Sequence, residues 1–178
     1  MKKLLEDLNA CNEAKDWIEN KSIDEAVASC HRGDWLLWLA YKIKIDKRKL
    51  TLAKGYCANT VRHLMKDDRS IAAVDAAIKY GNGEISENEL NAASSAAASY
   101  AAAYAASSAA ASAAAYAAAS YAASSAAASY AAYAAADAYA AADADAKKEN
   151  QKLTADICRQ YIGDEIIKKV NQILNTTT

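Results

Sequence analysis

The chain has 178 residues, no proline, no phenylalanine and only five glycines, and its 21 basic side chains nearly balance 22 acidic ones at a net charge of −1. That balance excludes the concentrated basic face of a nucleic-acid binder and the acidic excess of a nucleic-acid mimic. Abundant alanine and scarce turn residues predict an all-α protein, long enough to bury a core as one helical domain over 1–178.

In the N-terminal part, 1–90, Leu4, Leu8, Cys11 and Ile18 follow one helical face. Ser22-Ile23-Asp24-Glu25 spells a capping box that opens a helix running to about Arg32. Gly33 is then the expected left-handed stop, and Asp34 the N-cap of the apolar helix WLLWLAYKIKI. Asp46 is positioned to cap a helix striped by Leu50, Ala53, Cys57, Val61 and Leu64. Gly55 falls inside that helix at a cost of about 1 kcal/mol, so either a neighbouring backbone approaches there or the helix breaks. Asp68 is the expected cap of a helix carrying Ile71, Val74 and Ile78, which GNG at 81–83 stops. Ser86-Glu87-Asn88-Glu89 is a second capping box.

Residues 92–136 contain only Ala, Ser and Tyr, with SSAAAS at 94–99, 107–112 and 124–129. Those steps place the serines on different faces of a straight helix, and one continuous helix from Glu87 to Lys148 would be far too long for a compact domain. The segment is expected to fold back as closely packed antiparallel helices, breaking near Ser107–Ser108 or Ser124–Ser125. A membrane span is disfavoured because Leu, Ile, Val and Phe are absent from it. In 147–178, Leu153, Ile157 and Tyr161 define a helix ending at Gly163. Asp164 then caps a last helix with Ile166, Ile167, Val170, Ile173 and Leu174 on its apolar face.

The chemistry-bearing residues are sparse. Cys11, Cys30, Cys57 and Cys158 form no CxxC motif, and the N-terminus lacks a signal-peptide apolar region. Reduced, core-facing cysteines in a cytoplasmic protein are expected. Cys30 and His31 are adjacent and point about 100° apart on a helix, a poor arrangement for a nucleophile and its base. Cys57 and His63 lack zinc-ligand spacing. With no phosphate-cradling glycine loop either, no cofactor or metal is expected, and the chain reads as non-enzymatic.

Cys11, Ala14 and Trp17, then DEAVASCHRGDWLLWLAYKI at 24–43, DDRSIAAVDAAIKY at 67–80 and the long Ala/Ser run resemble a family of alanine-rich bacterial immunity proteins, found also on phages and other mobile elements. The family pattern often has Trp where this chain has Val27, a departure that implies a repacked pocket. The resemblance implies a small cytoplasmic helical protein that neutralises a protein partner, a toxin or defence effector, by stoichiometric binding. Its motif residues Cys30, Arg32, Gly33, Asp34, Trp35, Trp38, Asp68 and Arg69 read as fold determinants as readily as contacts. Tyr116 and Tyr121 are candidate partner-binding residues, since tyrosine supplies contact area at low entropic cost. A phage-borne inhibitor of a host defence nuclease or signalling enzyme, and an ice- or surface-binding helical protein, remain alternatives.

Overall fold

The computed structural model describes residues 1–65, 68–105 and 144–176, and within them every regular element is helical. The protein is all-α, as its composition predicts. The first apolar stripe belongs to two short helices, α1 (Lys2–Asp7) and α2 (Asn12–Trp17). The chain turns between them at Asn9, whose φ of 58° is one that asparagine adopts more easily than most residues. Leu4 and Ile18 therefore reach the core, whereas Cys11 is exposed at the start of α2, contrary to the expected burial.

α3 (Ile23–Ser29) begins with the capping box: the Glu25 amide donates to Ser22 Oγ at 3.2 Å, and the Ser22 amide donates to Glu25 Oε2 at 2.8 Å. It stops short of Arg32. Arg159, far along the chain, donates from Nη1 to the Cys30 carbonyl at 2.5 Å and to that of Val27 at 3.4 Å, satisfying groups the helix end leaves open.

Gly33 does not end α3. It is the first residue of α4 (Gly33–Lys42). A β-carbon there would lie 2.5 Å from Thr154 Oγ1 and 2.6 Å from the Thr154 carbonyl carbon, so glycine is required by a distant helix and not by a left-handed turn. Asp34 is likewise not the cap. Arg32 holds that position, and Asp34 sits buried in the first turn as its ion-pair partner.

Asp46 caps α5 (Lys47–Asn59) as expected, its Oδ1 accepting from the Lys49 amide at 2.9 Å. Gly55 faces α6 (Asp68–Gly81), where a β-carbon would come 3.1 Å from the Ile78 amide nitrogen. The close-approach alternative is the correct one. Asp68 is the first helical residue of α6, so the cap position falls at 67, outside the described residues. Gly83, with φ of 83°, completes the stop after α6. α7 (Glu87–Ala105) opens on the second capping box and covers α6, placing Leu90 and Ala97 with Ala73, Ala77 and Tyr80. The expected breaks in the alanine-rich segment lie outside the described residues.

α8 (Ala144–Cys158), a π-helical turn (Arg159–Gly163) and α9 (Asp164–Thr176) follow one another without interruption. Gly163 does not stop the helix and Asp164 does not cap a new one; its φ and ψ of −60° and −38° are helical. The buried ladder is Thr154, Cys158, Ile162, Ile166 and Val170, every fourth residue. In an α-helix each such step drifts by about 40°, and the wider π turn takes up part of that drift. The expected Leu153 stripe is off by one position: Leu153 is 48% exposed. α8 packs across α4 and α5, and α9 packs on α3. Among the buried contacts, the Cys57 and Cys158 sulfurs lie 3.8 Å apart as free thiols.

Candidate functional site: an aromatic groove

The core does not close on the side of α2, α3 and α4. Leu37, Ala53 and Cys57 are 0% exposed, whereas Ile23, Val27, Leu36 and Leu39 keep 4–7% because they floor an open groove of about 760 Å³. Helical periodicity builds one wall. Trp35, Trp38, Leu39 and Lys42 occupy positions i, i+3, i+4 and i+7 of α4, while Leu37 and Ala40 turn into the closed core.

Trp17, at the end of α2, meets Trp35 edge to face with ring centroids 5.9 Å apart. The exposed His31 ring touches both, at 6.3 and 6.1 Å. Trp17, Trp35 and Trp38 are the three tryptophans of the chain, and all line the groove. Each has a cation over its ring: Lys21 at 4.4 Å from Trp17, Arg32 at 4.8 Å from Trp35, and Lys42 at 5.8 Å from Trp38.

The three cations differ in what else they hold. Arg32 donates from Nε and Nη2 to the two Asp34 carboxylate oxygens at 2.8 and 2.6 Å, and lies 3.6 Å from Glu13. The hydrogen bond to Asp34 raises the guanidinium pKa further above its ordinary value. Lys21 Nζ donates to the Trp17 carbonyl at 2.6 Å. Among the described residues neither Lys21 nor Lys42 pairs with a carboxylate.

The motif residues thus divide. Arg32, Asp34, Trp35 and Trp38 converge on the groove, and buried Cys30 joins its lining, donating from Sγ to the Arg32 carbonyl at 3.3 Å. Burial pushes the Cys30 thiol pKa up, which keeps it protonated and unreactive. Gly33 faces α8. Asp68 and Arg69 are exposed at the start of α6 and take no part in the groove. Tyr116 and Tyr121 lie outside the described residues.

Sequence reasoning missed Glu13 and Lys42 as groove residues and Lys21 as the cation over Trp17 beside them, and took Trp17 only as part of a motif. The available signal was the confinement of all three tryptophans to the first 38 residues. Among the described residues no three of His, Cys, Asp and Glu gather as a metal-holding group, and no helix is long and apolar enough to cross a membrane. No model of a known protein family, no characterised protein and no solved structure matches the chain, so the functional reading rests on the groove itself.

Proposed function

We propose that the chain is a non-enzymatic binding protein that neutralises a toxin or effector protein by occupying it stoichiometrically through the aromatic groove. The observation that carries this is the open apolar groove lined by all three tryptophans, with Arg32 over the Trp35 ring. Tryptophan and arginine around a desolvated concavity are the residue types that dominate binding energy at protein interfaces. The divergence of Cys30 and His31 supports binding over turnover, since the thiol is buried against a carbonyl while the exposed imidazole edges the half-buried rings of Trp17 and Trp35. The resemblance of RGDWLLWLA to immunity proteins points the same way.

The test is capture from a host lysate at micromolar concentration by the full chain and by Trp38→Ala. A protein held by the former, lost by the latter, and inhibited in its own activity at one-to-one ratio supports the reading. No retained protein, retention indifferent to Trp38, or an unaffected activity overturns it.

A further inference from the structure

We propose that the groove receives an amphipathic helix of the partner protein, with acidic residues bordering its apolar stripe. This rests on the binding reading above and specifies the chemistry of the occupant.

Three observations carry it. The first is shape. From Trp35 to Lys42 the α4 wall rises about 10 Å at 1.5 Å per residue, two helical turns. A helix laid along it offers large side chains at i, i+3 or i+4, and i+7, and about 760 Å³ accommodates several of them. The second is backbone chemistry. Every described element is a helix, so an extended peptide finds no sheet edge here to add to. An occupant whose backbone is already paired within itself is therefore favoured over an added strand.

The third is charge. The two carboxylates lining the groove, Glu13 and Asp34, both face Arg32, leaving little for a cationic partner to engage. Lys21 beside Trp17 and Lys42 beside Trp38 make no ion pair within 4 Å among the described residues, Lys21 acting only at longer range on Glu25. Acidic side chains at the borders of the incoming stripe complement those two lysines. A single-stranded nucleic acid fits less well. The tryptophan faces it would stack on are covered by the chain's own cations.

The experiment selects binders to the full chain from an unbiased library of 16-residue peptides and titrates the recovered sequences synthetically. Intrinsic tryptophan emission reports on the groove alone, because every tryptophan lies in it. The proposal expects peptides that shift this emission, gain helical circular dichroism on binding and carry Asp or Glu beside their apolar stripe. Reversing both lysines, Lys21→Glu with Lys42→Glu, weakens them roughly tenfold, the scale of two exposed ion pairs lost and replaced by repulsion. The single change Lys42→Gln, at an exposed position, lowers affinity in the same direction by a smaller factor and guards against misfolding of the double variant.

Groove-binding peptides without acidic bias, or with affinity indifferent to both lysine variants, overturn the proposal and leave the binding reading standing. A 12-residue oligouridine that displaces the peptides at equal affinity also overturns it. If no recovered peptide alters tryptophan emission, the groove is not a docking site and both readings fall.

Discussion

Replacing Gly33 by alanine tests how α4 is seated. Inside a helix the change normally stabilises by about 1 kcal/mol, through helix propensity and a less flexible unfolded chain. Here the added β-carbon would stand 2.5 Å from Thr154 Oγ1, 2.6 Å from the Thr154 carbonyl carbon and 2.8 Å from the Ala155 nitrogen. Two of those atoms are α8 backbone, and α8 is anchored by Ala155 and Cys158, both 0% exposed. No side-chain rotation relieves the overlap, so the helices must separate. An overpacking cost near the upper end of about 1–3 kcal/mol leaves a net loss of about 2 kcal/mol. For a chain of this size that lowers Tm by roughly 4–8 °C.

Urea unfolding of Gly33→Ala and Gly163→Ala, run side by side, reads the difference. At Gly163 the new β-carbon would meet Val27 Cγ1 at 3.4 Å, ordinary contact, so that variant should hold or gain stability. A Gly33→Ala midpoint equal to or above that of the parent would refute the seating argument. Trp35 follows two residues later, so the separation of α4 from α8 should also shift tryptophan emission.

Three further outcomes are expected. Lys54 is 1% exposed, and burial pushes its pKa down to about 8. Between about pH 8 and 10.5 the unfolded chain binds more protons at this site than the folded one, so stability contributed here rises with pH. The stability of Lys54→Met relative to the parent should therefore be most favourable at pH 7 and decline as the pH is raised to 10.5 in denaturant titrations; a difference that does not change with pH would contradict the buried ammonium. Asp34→Asn leaves the mostly buried Arg32 without its forked carboxylate, and should cost about 2 kcal/mol by the same method; a neutral result would show the pair to be dispensable. In the native, reduced protein a thiol reagent should modify Cys11 quickly, while Cys30, Cys57 and Cys158 react only on unfolding; a second fast thiol would contradict their burial.

Helix caps were legible in the sequence where the partners are neighbours in the chain. Both capping boxes and the Asp46 cap involve residues three apart, and all three form. The reading of Gly33 failed because its role is set by Thr154, 121 positions away. Asp34 was misread at short range, because its carboxylate is taken by Arg32 two residues back and Arg32 holds the cap position. In α8 hydropathy favoured Leu153, but the face that meets Gly33 must be approachable, so Thr154, Ala155 and Cys158 are buried instead. The groove was invisible for a related reason. Glu13, Lys21 and Lys42 are ordinary surface residues until α2 and α4 bring them to the tryptophans.

The π turn between α8 and α9 acts as a store of one residue. Its buried ladder advances by four throughout, from Thr154 to Val170, where a regular α-helix keeps one face by alternating steps of three and four. Removing the exposed Gln160 converts one step of four into three, so α9 keeps Ile166 and Val170 against α3 while the wide turn contracts to α geometry. Removing a residue such as Asp156 within regular α8 instead rotates everything beyond it unless the wide turn absorbs the change. Insertions and deletions are thus tolerated unevenly along this rod, and the position of the wide turn marks where its length is free to vary.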